Sequence, residues 1–163
     1  MSLSFYLTSI YDHTIYEALS KVIQKLLPQV TFISSMMDNL ISKSKIEKAF
    51  LFDVISKIYI ATDSNPVEMK HYEICSELID VLIDVSCIYG IDEVGGTLKF
   101  DKESSSIIRL NHAGGSEGDI ILYLREVDKC LAIVCLINER EFHKQHLINY
   151  NIDRFKEGLK KIF

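Results

Sequence analysis

The sequence predicts an α+β fold, a five-stranded antiparallel sheet held between helices. Three observations lead there. Residues 120–126 and 130–137 are almost continuously apolar, and strands without polar alternation are buried on both faces. The turns at 53–57 and 127–129 are short, as antiparallel neighbours allow and parallel ones do not. Residues 67–89 read as a helix too apolar for a single contact. At 3.6 residues per turn, Glu73, Ser76, Glu77, Asp80 and Asp84 fall within roughly 100° of arc. The apolar remainder covers on the order of 200°, where one sheet contact needs about 100°. Such a helix has two surfaces to hide.

In chain order, residues 5–10 are apolar and aromatic enough for a strand. Asp12 and His13 turn the chain, and Thr14-Ile15-Tyr16-Glu17 fits a capping box. Ile15, Ala18, Leu19, Val22, Ile23 and Leu26 then recur at helical spacing up to Pro28. A second helix is predicted over 30–41, from Phe32, Ile33, Met36, Met37, Leu40 and Ile41. Methionines at that spacing fill cores. The short β-rich runs 49–52 and 58–62 form a hairpin. Asp63-Ser64-Asn65-Pro66 launches the long helix. A polar stretch follows it to about residue 103, then a strand over 105–110 and a Gly-rich loop over 111–118. The two buried strands come next, and a closing helix over 151–163 places Ile152, Phe155, Leu159 and Ile162 on one side. From residue 30 the order is α-β-β-α-β-β-β-α. The strand-helix unit over 1–28 precedes it, and residues 29–163 form the main domain.

With 163 residues, 48% of them hydrophobic, the chain can bury a real core. A net charge of −5 and the lack of a basic stripe with interleaved aromatics argue against nucleic acid. No run reaches 18 apolar residues and no leader pattern is present, so membrane insertion and a signal peptide are not expected. Cys75, Cys87, Cys130 and Cys135 form no C-x-x-C pair and read as thiols of a reducing compartment. His143 and His146 could share a helical turn near Glu139 and Glu141, but no third ligand is signalled, so no metal site is expected.

Motifs for catalysis are weak. G-x-x-x-x-G-K-[ST] is absent. The glycine-dense loop Gly114-Gly115-Ser116-Glu117-Gly118-Asp119 carries acids where phosphate would want amides and a lysine. No nucleophile sits in a strand-turn-helix elbow. The chain is expected to be non-catalytic, with no catalytic, cofactor-binding or metal residues of its own.

Several blocks carry a family likeness: Thr8-Ser9-Ile10-Tyr11-Asp12, the helix over 15–27, Ile46-Glu47-Lys48-Ala49-Phe50-Leu51-Phe52-Asp53, Ser56-Lys57-Ile58-Tyr59-Ile60-Ala61-Thr62-Asp63, Ile79-Asp80-Val81, and Asp84-Val85-Ser86-Cys87-Ile88-Tyr89-Gly90. Together they resemble the C-terminal part of Rag GTPases of the C/D (Gtr2-like) type. The resemblance implies a roadblock/longin-like domain from about residue 30, preceded by the last strand and helix of a GTPase domain. GTP or GDP with Mg would belong to the full-length parent, whose nucleotide motifs lie upstream. It implies a Rag A/B-type GTPase as heterodimer partner and a Ragulator-like roadblock scaffold as docking site, with TORC1 engaged through the parent. It also implies a cytoplasmic protein, peripheral at the lysosomal or vacuolar surface, and the isolated chain could pair with itself.

An apolar helix face beside an open edge strand makes a pairing surface, because joining two edges satisfies both. The candidate interface residues are Tyr72, Ile74, Cys75, Leu78, Ile79, Val81, Leu82, Val85 and Ile88 of the long helix, with Ser105, Ser106, Ile107, Ile108, Arg109 and Leu110 of the edge strand. One sector, around Tyr72, Cys75, Ile79 and Leu82, and another, around Ile74, Leu78, Val81, Val85 and Ile88, divide core from contact, in an order that the sequence leaves open. Two other readings compete: a stand-alone roadblock or longin-like adaptor in trafficking or motor complexes, and a small-molecule sensor using the sheet-helix cleft. The strand-helix unit favours the GTPase module over the first, and the apolar strands argue against the second.

Overall fold

A computed structural model describes residues 3–89, 104–110, 119–128 and 130–162. Its elements run α1 (Thr14–Leu26), α2 (Val30–Ser44), β1 (Lys48–Asp53), β2 (Ile58–Thr62), α3 (Met69–Tyr89), β3 (Ser105–Leu110), β4 (Ile120–Asp128), β5 (Leu131–Asn138), α4 (Glu139–Phe142) and α5 (Gln145–Leu159). The five strands form one sheet in the order β2-β1-β5-β4-β3, every pair antiparallel. The predicted fold class holds, and β2 and β3 start and stop where the sequence placed them.

Side chains alternate across a strand, and here each face has its own core. On one face Ala49, Leu51, Ile121, Tyr123, Ile133, Cys135 and Ile137 pack with α2 and α5. On the other Phe50, Phe52, Leu122, Leu124, Ala132, Val134 and Leu136 pack with α3. That double burial is why β4 and β5 read as unbroken apolar runs. Met36 of α2 and Gly158 of α5 lie so close that a Cβ added at Gly158 would stand 2.3 Å from the Met36 methyl. A bare α-carbon lets these helices approach.

Three expectations need correction. Residues 5–10 form no strand: Phe5, Leu7 and Ile10 are exposed, and among the described residues no neighbouring strand is there to complete a ladder. The capping box is not made. Asp12 accepts the Thr14 amide at 3.0 Å and the Thr14 hydroxyl, while Glu17 turns away to Lys21 at 2.6 Å. Asp12 thus takes the Thr14 amide that Glu17 would have reached back for, and the Glu17 amide goes to the His13 carbonyl at 3.2 Å instead. The closing helix begins at Gln145 rather than 151 and ends at Leu159, because Ile148 supplies a buried first turn beneath polar neighbours. The short α4 was not foreseen; Asn138 caps it by accepting the Arg140 amide at 3.1 Å. The expected loops over 90–103 and 111–118 fall outside the described residues.

Candidate interaction surface

The long helix is placed by its N-terminal half. Tyr72 stacks on Phe52, with ring centroids 5.8 Å apart, and meets Tyr59 at 5.6 Å. Its hydroxyl donates to the Lys57 carbonyl at 3.0 Å. Burial pushes the Tyr72 phenol well above its ordinary pKa and lifts Tyr59 to about 12, so both stay neutral in the packed cluster. Lys57 adopts a left-handed backbone, φ 59°, in a turn held by Asp53, which accepts the Ser56 amide at 3.1 Å. From there its ammonium reaches Asp80 at 2.5 Å.

The loop that feeds α3 is fixed by a buried ion pair. Lys48 Nζ lies 3.1 Å from Asp63 Oδ1, with both side chains almost wholly buried, and donates to the Asn65 carbonyl at 2.6 Å. Asp63 also accepts the amides of Ala49 at 3.1 Å and Asn65 at 3.0 Å. One carboxylate thereby ties β1 to the turn that launches α3. Sequence reading missed this pair, since a lysine at a strand's start and an aspartate in a turn both look like solvent positions. Phe50 beside Lys48 was the only clue: the ammonium sits 5.4 Å from its ring centre.

The two apolar sectors of α3 now separate. Tyr72, Cys75 and Ile79 are buried in the core under the helix, with Leu82 packed at its margin. Leu78, grouped by the sequence with the outer sector, is buried too, which corrects its assignment. Ile74, Val81, Val85 and Ile88 stay exposed at 36%, 52%, 46% and 70%. Spaced by seven, four and three, they form a continuous outer seam.

The flanks of that seam differ. On one side Asp80 reaches Lys57 of the β1–β2 turn, and Glu77 lies 3.7 Å from His13. This acidic flank faces β2 and α1. On the other side Leu82, Ile108 and Leu110 meet in the α3 core, so the apolar flank faces β3. Among the described residues β3 pairs only with β4, as the terminal strand of the sheet. Ser105, Ile107 and Arg109 point to the opposite face and are exposed, whereas Ser106, Ile108 and Leu110 are half-buried. Arg109 reaches Glu139 at 3.4 Å. The helix and the terminal strand therefore share one core on the apolar flank of the seam.

Chemical sites are sparse elsewhere. His143 Nδ1 lies 2.5 Å from the Arg140 carbonyl, and among the described residues no three His, Cys, Asp or Glu side chains converge as metal ligands. Open grooves of about 320 Å³ lie between α2 and α5 and beside the β4–β5 turn, away from α3. Among the described residues no helix is long and apolar enough to cross a membrane.

Comparison with known proteins agrees with this architecture. The family model described as the Gtr1/RagA G protein conserved region matches residues 1–79. The chain is 54% identical over 163 residues to human Ras-related GTP-binding protein C, covering 100% of this chain and 39% of that protein. It is 53% identical to mouse Ras-related GTP-binding protein D, over 99% of this chain and 34% of that one. Identity to the GTP-binding protein gtr2 of Schizosaccharomyces pombe is 44%, over 99% and 50%. The chain thus spans half or less of the length of these relatives. Among solved structures, Myxococcus xanthus MglB superposes with a TM-score of 0.57 at 17% identity, covering 84% of this chain and 91% of that one. A Roadblock/LC7 domain from Streptomyces avermitilis gives 0.55 at 9%, covering 79% and 95%. These two show the fold; the closer sequences show the lineage. The chain belongs to the Rag C/D (Gtr2-like) family of Ras-related GTP-binding proteins and carries its C-terminal roadblock module.

Proposed function

We propose that this chain is the pairing and scaffold-docking module of a Rag C/D-type GTPase, joined through α3 and β3 to a Rag A/B-type partner. One observation carries the reading. The outer seam of α3, Ile74, Val81, Val85 and Ile88, is exposed; its apolar flank shares a core with β3, which among the described residues pairs only with β4, and its acidic flank is turned the other way. A related chain offering the same pair of elements would extend the sheet across a two-fold and cover both seams together. Tyr72, Cys75, Leu78 and Ile79 support that surface from within and do not touch the partner. The division near residue 28, with a GTPase-derived unit before it, belongs to the same reading. So do docking on a Ragulator-like scaffold at the lysosomal or vacuolar surface and signalling of amino acids to TORC1. Guanine nucleotide, Mg and hydrolysis are assigned to the parts of the full-length relatives outside this chain.

The test is Val85→Asp, measured by sedimentation with a Rag A/B-type roadblock chain. Val85 is half exposed in the single chain, so the variant keeps its fold by far-UV circular dichroism. In the pair the carboxylate is buried without a partner, at several kcal/mol, which weakens association at least about a hundredfold. Unchanged association would refute the interface.

A further inference from the structure

A five-stranded open sheet has two edges, and they are treated differently here. Beyond β2 lies α1, whose side chains take the place of a strand. The Tyr59 amide donates to Ser20 Oγ at 3.1 Å, and the Gln24 side chain donates to the Tyr59 carbonyl at 3.4 Å. Both backbone groups that Tyr59 would offer to a sixth strand are therefore taken. Ser20 is wholly buried and completes its bonding by donating to the Tyr16 carbonyl at 2.8 Å. A serine in a helix interior that turns back to its own i−4 carbonyl is unfavourable for the helix, and here it frees the oxygen to accept from the sheet. At the opposite edge, no element among the described residues plays this part for β3.

We propose that α1 closes the β2 edge by substituting side-chain groups for a neighbouring strand, leaving the sheet one edge for assembly instead of two. The distinction matters for how copies and partners meet. A sheet open at one edge joins to a single like edge and stops. A sheet open at both can join β3 of one molecule to β2 of the next, a head-to-tail contact that propagates. Ser20 and Gln24 are then the residues that keep association closed, whoever the partner is.

The experiment uses the full chain. In Ser20→Val with Gln24→Leu both substitute bonds to Tyr59 are lost. Hydrogen exchange at the Tyr59 amide should accelerate about tenfold or more, and light scattering should show species growing beyond a dimer with concentration. Ser20→Thr retains a hydroxyl and should keep the parental exchange rate and size. Ser20→Ala removes the acceptor of the Tyr59 amide with a smaller change and should give the same exchange shift even if the double variant fails to fold. Parental exchange at Tyr59 in Ser20→Ala and the double variant would overturn the closure. Faster exchange with unaltered size in the double variant would overturn its role in assembly. The exchange readout does not depend on pairing through β3: failure to associate with the Rag A/B-type chain would refute the interface proposed above while the Tyr59 exchange still reports on α1.

Discussion

Replacing Lys48 with methionine removes one half of the buried pair and leaves the other. In the folded chain the ammonium answers two acceptors, Asp63 Oδ1 at 3.1 Å and the Asn65 carbonyl at 2.6 Å, with almost no water at either side chain. Methionine fits the volume and bonds to neither. The carboxylate keeps the amides of Ala49 and Asn65, so its charge is bonded but no longer balanced. Breaking a buried pair from one side costs about 3–5 kcal/mol, and these retained bonds put Lys48→Met near the lower figure. For a chain of this size each kcal/mol lowers the melting temperature by about 2–4 °C. The expected drop is therefore about 6–12 °C, with a matching fall in the urea midpoint and an unchanged slope. Adding Asp63→Asn removes the stranded charge and should recover part of the loss. The recovery stays incomplete, because an amide can still accept from Ala49 but turns a donor toward the Asn65 amide or the reverse. Urea melts of the two single variants and the double variant close the thermodynamic cycle. A loss below about 1 kcal/mol in Lys48→Met would refute the account, as would a double variant less stable than both single ones.

Other outcomes follow from the packing. Ile79→Asp puts a carboxylate at a wholly buried position under α3 and should unfold the chain at 25 °C, since the charge costs several kcal/mol; circular dichroism reads this directly. Gly158→Ala gains about 1 kcal/mol of helix propensity but pushes aside the flexible end of Met36, so its melting temperature should stay close to the parent's, while Gly158→Val should lose about 1–3 kcal/mol. Burial lifts the Cys135 thiol from 9.0 to about 12 and Cys75 higher still. At pH 8 iodoacetamide should therefore label exposed Cys87 rapidly and leave Cys75 and Cys135 untouched until the chain unfolds. The same shift has a stability sign: the neutral thiol is favoured when folded, so Cys135 contributes fully below pH 9.0, and that contribution is lost as pH rises toward about 12.

Much of the fold was legible because it depends on periodicity. β4 and β5 announce double burial through unbroken apolar runs, and the strand over 105–110 is bounded by polar, glycine-bearing stretches on both sides. Helix ends were harder. The start of α5 is polar at Gln145, His146 and Asn149, so only Ile148 betrays a packed first turn. The failed strand at 5–10 shows the limit of composition: apolar residues make a strand only when another strand answers them. At the candidate interface the sequence gives two apolar sectors but no means of ranking them, because both have helical spacing. Lys57, Asp80 and Tyr72 decide it by rotating the helix about its axis, and those contacts join segments distant in sequence. Leu78 was misassigned for the same reason, lying at the boundary between sectors where a small rotation moves a side chain from water to core.

The separation of the two cores by residue parity has a consequence for how this chain can change. Along β1, Ala49 and Leu51 answer to α2 and α5, while Phe50 and Phe52 answer to α3. A substitution at one position thus disturbs the helices of one face and meets the other face only through the backbone. The sheet acts as an insulating plate. The α2 and α5 face can be repacked to suit one contact while the support beneath the α3 seam keeps its shape. The two faces of one small domain can drift at different rates, and a comparison of substitutions at odd and even strand positions would show it.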